Sequence, residues 1–424
     1  MNAILVGVNI RNEYDFDYSI HELENLVKAL NITSLLTFKQ KLNEPNDKYL
    51  LGQGKLLELK GLIEIYNPDM IIFDNELSPA QNQNIQEILE IEVLDRTALI
   101  LKIFSLRAKT YEAKLQVEIA SLKYELPRLS SRFENYSQQS GGSGVRNKGS
   151  GEKQIELDRR HIHSRISFLE KELEKVNKNR QNQKRKRARN EIPKVALVGY
   201  TNVGKSSLLN KLLEYSISQS EKKLVFEKDL LFATLDTSTR LIKLKNNKEF
   251  LISDTVGFIN KLPTTLIKAF RSTLSEALDA DLILLVNDIS NSFNDLQIDV
   301  TLDTLNSIEA SNIPILYVFN KCDLVSDEYI SNRSDALIIS TKTGYGIEEL
   351  LKAIEDNIFK NYITTMMHIP YEDAKVYSYL SENANILIRI EDNEGYLLSL
   401  ELKEKDYNKY IKYVIKEEND NAIS

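Results

Sequence analysis

Cys322 is the only cysteine in the 424 residues, so no disulfide forms within the chain. There is no CxxC and no Cys/His spacing of the kind that holds zinc. A reducing, cytoplasmic setting is the expectation. No apolar run approaches the roughly 18 residues of a membrane span. Residues 1–10 lack the basic start and apolar length of a secretion signal. Positive charge is not in excess either. The formal net charge is −7, so nucleic-acid binding would have to come from a local basic patch. What remains is ordinary for a globular chain, 42% hydrophobic and 28% charged. The length exceeds one core, and roughly two to four domains are expected.

Against that background one stretch stands out, Gly199-Tyr200-Thr201-Asn202-Val203-Gly204-Lys205-Ser206. It fits G-x-x-x-x-G-K-[ST], the phosphate-binding loop. Val195, Ala196, Leu197 and Val198 before it form an apolar run, as a buried parallel strand does. Ser207, Leu208, Leu209, Leu212 and Leu213 after it have helical spacing. The glycines let the backbone approach a phosphate, and successive N–H groups and the helix start favour negative charge. Lys205 is placed to reach β- and γ-phosphates, and the Ser206 hydroxyl to ligate Mg²⁺. Ser207 is grouped with the loop as nucleotide-binding.

Residues 1–95 alternate short apolar runs with helical patterns. Strands are expected at Ile4 to Val8, at Leu35, Leu36, Thr37 and Phe38, at Met70 to Asp74, and at Val93, Leu94 and Asp95. Helices are expected around Leu23, Leu26, Val27 and Leu30, over 54–66, and from Ser78-Pro79 to about Leu89. This pattern implies a small, mainly parallel α/β sheet. Gly52-Gln53-Gly54-Lys55 reads as a turn before a helix rather than a second phosphate loop.

Region 96–191 reads as a long antiparallel helical hairpin. One helix runs from Thr97 to Leu126 and stops at Pro127, with Leu115, Ile119, Leu122 and Leu126 on its seam. The other starts near Glu152, with Ile162, Ile166, Leu169, Leu173 and Val176 on its seam. A Gly/Ser-rich join of about 130–151 separates them. Arg128, Arg132, Arg146, Lys148 and Lys153 place positive charge around that join. A flexible linker is one reading, and a tip that contacts RNA is the other. Lys184, Arg185, Lys186 and Arg187 sit in a basic run that is either a solvated helix end or a phosphate-backbone contact. His161 and His163 lie two apart on a helix and read as surface residues, not metal ligands.

Region 192–362 reads as a nucleotide domain. Strands are expected at Arg240 to Leu244, Phe250 to Ser253, Asp281 to Val286, Ile315 to Phe319 and Ala336 to Ile339. Open parallel sheets bind ligands at the carboxyl ends of their strands, and each motif falls there. Asp254-Thr255-Val256-Gly257 follows one strand. Its carboxylate is suited to hold Mg²⁺ through water, and the Gly257 N–H to meet a γ-phosphate. Asn320-Lys321-Cys322-Asp323 follows another. Asp323 matches the two donors on the guanine edge, a pair that adenine lacks. Asn320 would brace the loop and the Lys321 stem cover the base. Ser340-Thr341-Lys342 ends the last strand and would give a backbone N–H to guanine O6. Phe258 stands where many GTPases have a glutamine that orients water, so slow intrinsic hydrolysis completed by a partner is expected.

These motifs together resemble the HflX family of ribosome-associated GTPases. The resemblance rests on Phe232-Ala233-Thr234-Leu235-Asp236, on Asp254-Thr255-Val256-Gly257-Phe258-Ile259, and on Val93-Leu94-Asp95-Arg96-Thr97. It extends over the helical region, through Leu115-Gln116-Val117-Glu118-Ile119-Ala120 and the stretch from Gly151 to Arg160. The glycine loop departs from the family pattern, with Lys153 where threonine is usual. By this resemblance Thr234, rather than Thr237 or Thr239, completes a direct Mg²⁺ shell with Ser206. Lys205, Thr234 and Gly257 become the catalytic group, and Phe232, Ala233, Leu235 and Asp236 join the nucleotide-binding residues.

The resemblance also implies a monomeric, cytoplasmic, Mg²⁺-dependent GTPase that binds GTP and GDP. Its partner would be the large ribosomal subunit, and its function the dissociation of stalled or hibernating ribosomes under stress. A nucleotide-regulated RNA- or ribosome-binding module, or an RNA remodeller without splitting activity, remains the alternative. Region 363–424 reads as a small α+β domain. It has strands at Ile386 to Ile390 and Tyr396 to Leu400, and helices over 376–380 and 407–415.

Overall fold

The computed structural model describes residues 1–11, 13–139, 145–188, 192–216, 238–261, 277–326 and 336–415, of which 130–139, 145–155 and 179–188 are described by backbone alone. Three sheets organise the described residues.

The first is four-stranded, in the order β2-β1-β3-β4, from β1 (Asn2–Ile10), β2 (Thr33–Leu42), β3 (Met70–Phe73) and β4 (Glu92–Asp95). All its pairings are parallel. The β1 strand is apolar on both faces because helices cover both. Ile4, Val6 and Val8 enter one core, while Ala3 and Leu5 enter the other. The helices are α1 (Phe16–Ala29), α2 (Gln53–Tyr66) and α3 (Pro79–Leu89). Ser78 caps α3 in a reciprocal box with Gln81, with Pro79 in the first turn. Gly52 caps α2, so the Gly52-Gln53-Gly54-Lys55 stretch is a helix start.

The expected single helix from Thr97 to Leu126 is two helices, α4 (Arg96–Arg107) and α5 (Tyr111–Gln139). Ala108 leaves helical geometry, and the Thr110 hydroxyl accepts from the Ala113 N–H to start the second helix. Pro127 does not end α5 but lies inside it. Proline in a helix interior costs about 3 kcal/mol. Bonds made by the next residue, two of them tertiary, offset this. Arg128 donates to Tyr124 O at 3.0 Å, Leu77 O at 2.8 Å and Asp95 at 3.0 Å. The next helix, α6 (Val145–Ala188), begins inside the Gly-rich join, earlier than Glu152. Elongating an existing helix is far easier than nucleating one, so the glycines do not stop it. Leu115, Ile119 and Leu169 form the hairpin seam, with Leu122, Leu173 and Val176 packed against it. His161 and His163 are exposed.

The second sheet is six-stranded, in the order β10-β9-β8-β5-β7-β6. Its strands are β5 (Lys194–Gly199), β6 (Ser238–Lys243), β7 (Glu249–Asp254), β8 (Leu282–Asp288), β9 (Ile315–Asn320) and β10 (Leu337–Ile338). Only the β6–β7 pairing is antiparallel. Helices α7 (Lys205–Glu214), α8 (Asn294–Ser307) and α9 (Ile347–Ile358) pack on it.

The third sheet has order β11-β13-β12, from β11 (Tyr362–Pro370), β12 (Asn385–Glu391) and β13 (Gly395–Lys403), all antiparallel. Sequence reading finds the last two strands and misses β11. Helices α10 (Ala374–Asn383) and α11 (Glu404–Lys409) cover this sheet. The expected helix over 407–415 is α11 followed by a short 3₁₀ turn, Ile411–Tyr413.

Candidate nucleotide site

Parallel pairing sets the site. Leu197 of β5 aligns with Asp254 of β7, Gly199 with Val286 of β8, and Asp288 of β8 with Asn320 of β9. The carboxyl ends of these strands therefore share one edge, and the loops after them meet.

Two glycines are required by close approach. A Cβ at Gly199 would lie 2.2 Å from Val286 O. Gly204 has φ +94°, and a Cβ there would lie 2.3 Å from Asn320 Nδ2. The turn then enters α7, whose first residue is Lys205. The Lys205 ammonium donates to Gly199 O at 3.1 Å and Tyr200 O at 2.6 Å. Burial pushes its pKa down to about 8, with Asp254 acting the other way. Ser206 Oγ donates to Asp254 Oδ2 at 2.6 Å. A hydroxyl and a carboxylate converging there make an oxygen donor pair, which suits a hard cation such as Mg²⁺.

Asp254-Thr255-Val256-Gly257 folds back over the loop. The Thr255 hydroxyl donates to Leu197 O at 2.6 Å, and Val256 is buried, so both side chains face inward. Gly257 sits against the loop: a Cβ there would lie 2.8 Å from Thr201 Cα and 2.9 Å from Lys205 Nζ. Phe258 donates its N–H to Gly199 O at 3.1 Å and accepts from the Thr201 N–H at 2.8 Å. Its ring is in the core. No side chain able to hydrogen-bond water stands at that position.

At the other end, Asn320 ties two loops together. Its Nδ2 donates to Val203 O at 2.9 Å, and its Oδ1 accepts from the Thr341 N–H at 3.1 Å. Lys321 lies along the phosphate loop, donating to Asn202 O at 2.9 Å and to Asp288 at 2.7 Å. Ser340 Oγ donates to Asp323 Oδ1 at 2.7 Å, which aims the carboxylate. Cys322 packs with Ile289 and Phe319 in the core. The Ser340 N–H is engaged by Tyr345 O and that of Thr341 by Asn320. Sequence reading missed Asp288, whose role depends on a neighbouring strand.

The remaining expected site residues divide in two. Phe232, Ala233, Thr234, Leu235 and Asp236 lie outside the described residues. So do the side chains of Arg132, Arg146, Lys148, Lys153, Lys184, Arg185, Lys186 and Arg187. Arg128 is corrected. Its guanidinium stacks 3.4 Å over the Tyr124 ring and pairs with Asp95, so it is a structural strut rather than a tip charge. Among the described residues no cluster of His, Cys, Asp or Glu is arranged to hold a metal, and no helix is long and apolar enough to cross a membrane.

A phosphate loop on a largely parallel sheet, with D-x-x-G and N-K-x-D at strand ends on the same edge, defines a P-loop GTPase, an enzyme that hydrolyses GTP. Residues 194–321 match the family model for a 50S ribosome-binding GTPase. Residues 17–105 and 107–187 match the N-terminal and middle regions of a GTP-binding GTPase family. GTPase HflX of Caldanaerobacter subterraneus subsp. tengcongensis is 39% identical over 400 residues, 94% of this chain and 90% of that protein. GTPase HflX of Alkalihalophilus pseudofirmus is 44% identical over 352 residues, 82% of this chain and 80% of that protein. A GTP-binding protein from Sulfolobus solfataricus, crystallised with GDP, is 27% identical, covers 84% of this chain and 99% of its own, and has a TM-score of 0.43. The chain belongs to the GTPase HflX family.

Proposed function

We propose that this protein is a GTP-switched factor that binds the large ribosomal subunit and dissociates stalled or hibernating ribosomes, with hydrolysis stimulated by the ribosome. The observation that carries the reading is the match of residues 194–321 to a 50S ribosome-binding GTPase family, on a chain that also bears the α5–α6 arm. The arm's Gly-rich tip and its basic end at residues 184–187 supply the chemistry for RNA phosphates and close backbone approach.

In this reading the backbone of Gly199, Tyr200, Thr201, Asn202, Val203 and Gly204 cradles the phosphates. Lys205 offsets their charge. Ser206 and Thr234 would ligate Mg²⁺ directly and Asp254 through water. The ion, when bound, neutralises charge on the β- and γ-phosphates. Gly257 presents its N–H to the γ-phosphate. Asp323, aimed by Ser340, reads the guanine edge, while Asn320 braces both loops. Phe258 lacks a group to orient water, so the stimulating partner supplies it. The setting is cytoplasmic, with peripheral association with ribosomes.

The test is GTP turnover by the full chain with and without purified large subunits. The reading expects a large rise in turnover with subunits. Equal turnover with every ribosomal particle sinks it.

A further inference from the structure

The phosphate loop touches more than nucleotide chemistry requires. The Tyr200 ring is buried, and its hydroxyl is bonded outside the loop. That hydroxyl donates to Glu22 on α1 and accepts the Asn260 N–H. Arg96, at the start of α4, is also buried. It donates to Glu22, to Asp74 at 2.6 Å and to Asn260 O at 3.1 Å. Both backbone polar groups of Asn260, three residues after Gly257, are therefore held by this cluster.

The surroundings allow little slack. Asn260 Nδ2 donates to Asp15 at 2.7 Å, and Lys261 pairs with Glu13 at 2.9 Å. Ser19 donates to Asp74 at 2.7 Å. Tyr18 stacks on Phe293 with centroids 4.6 Å apart and accepts from Gln297 at 2.7 Å. Every partner of Asn260 and Lys261 named here except Tyr200 lies before residue 97, on the N-terminal α/β part. On the other side, Phe258 is bonded through both its N–H and its C=O to the phosphate loop.

A buried guanidinium between two carboxylates strongly resists partial displacement, because any charge left unpaired is costly. The segment 258–261 is thus held from both sides by buried polar bonds, so a displacement imposed at one end is felt at the other. Engagement of the Gly257 N–H by a γ-phosphate would shift the Asn260 peptide against Tyr200 and Arg96.

We propose that the Glu22–Arg96–Tyr200–Asn260 cluster reports the nucleotide state to the N-terminal α/β part, with the Tyr200 hydroxyl as the coupling group. By reciprocity, whatever repositions that part alters the preference for GTP over GDP. The inference rests on Gly199 to Ser206 being the GTP site.

The test is hydrogen exchange of the full chain over α1 and β3, with GDP and with a non-hydrolysable GTP analogue. Affinities for both nucleotides are measured on the same samples. The unaltered protein should exchange differently over α1 in the two states. Glu22→Gln, which lies outside the nucleotide loop and removes the charge that Tyr200 and Arg96 share, should bind both nucleotides and lose that difference. If Glu22→Gln does not fold, Tyr200→Phe serves in its place, compared at saturating GDP and saturating analogue, with the same loss of the difference expected. A difference that persists in the variant overturns the proposal, as does no difference in the unaltered protein when both nucleotides bind. Failure of the unaltered protein to bind either nucleotide sinks the site assignment itself.

Discussion

Replacing Asn320 with alanine separates the frame of the nucleotide site from its chemistry. The side chain is buried and makes one bond to each of two loops, at 2.9 Å to Val203 O and 3.1 Å to the Thr341 N–H. Alanine removes both bonds and orphans a carbonyl on the phosphate loop and an N–H beside the guanine loop. Each orphaned buried group costs about 1–3 kcal/mol. The pair is worth about 2–6 kcal/mol, or about 30- to 25,000-fold in an equilibrium constant. Asn320 braces both loops, so the loss divides between fold stability and nucleotide affinity. The assay is competitive titration of a fluorescent GDP, with thermal unfolding of the same samples. At least about 30-fold weaker binding, or an equivalent stability loss, is expected. Binding within about threefold and an unchanged Tm would refute the bracing role.

Asp323→Asn exchanges an acceptor for a donor opposite the guanine edge, so GTP and GDP affinity falls by several kcal/mol's worth of selectivity, about 100-fold or more. Unchanged selectivity between guanine and xanthine nucleotides refutes the base-reading role. Lys205 gives a pH signature: its pKa is about 8, and phosphate binding needs the charged form. Nucleotide affinity should therefore fall as pH rises through that value, approaching about tenfold per unit. Without nucleotide the sign for stability is opposite. Between about 8 and the ordinary 10.5 the unfolded chain keeps a proton that the fold has released, so stability rises with pH in that window. A dissociation constant that stays flat from about pH 7 to about 9.5 contradicts the assignment.

Much of the fold is legible in the sequence because its signals are local. Strands β1 and β3 are apolar runs buried on both faces, and Ser78-Pro79 marks a helix start in two residues. The β11 strand escapes because its residues are mostly half-exposed and their pattern is weak. Its partner β13 lies far along the chain. Pro127 misleads because a local penalty is outweighed by Arg128 bonds to Leu77 and Asp95, neither of them near in sequence. The site divides the same way. A phosphate loop is eight consecutive residues whose chemistry is backbone chemistry, so the motif carries its own meaning. The Tyr200 contact with Glu22 spans 178 positions, and that of Arg96 with Glu22 spans 74. Arg96 enters the sequence reading only within the stretch Val93 to Thr97, and its bonds to Glu22 and Asp74 come from elements distant along the chain.

Co-sedimentation of the full chain with purified large ribosomal subunits, in GDP and in a non-hydrolysable GTP analogue, tests the central claim most directly. Binding favoured by the analogue is the predicted result. Equal binding in both states, or none in either, contradicts a GTP-switched ribosome factor.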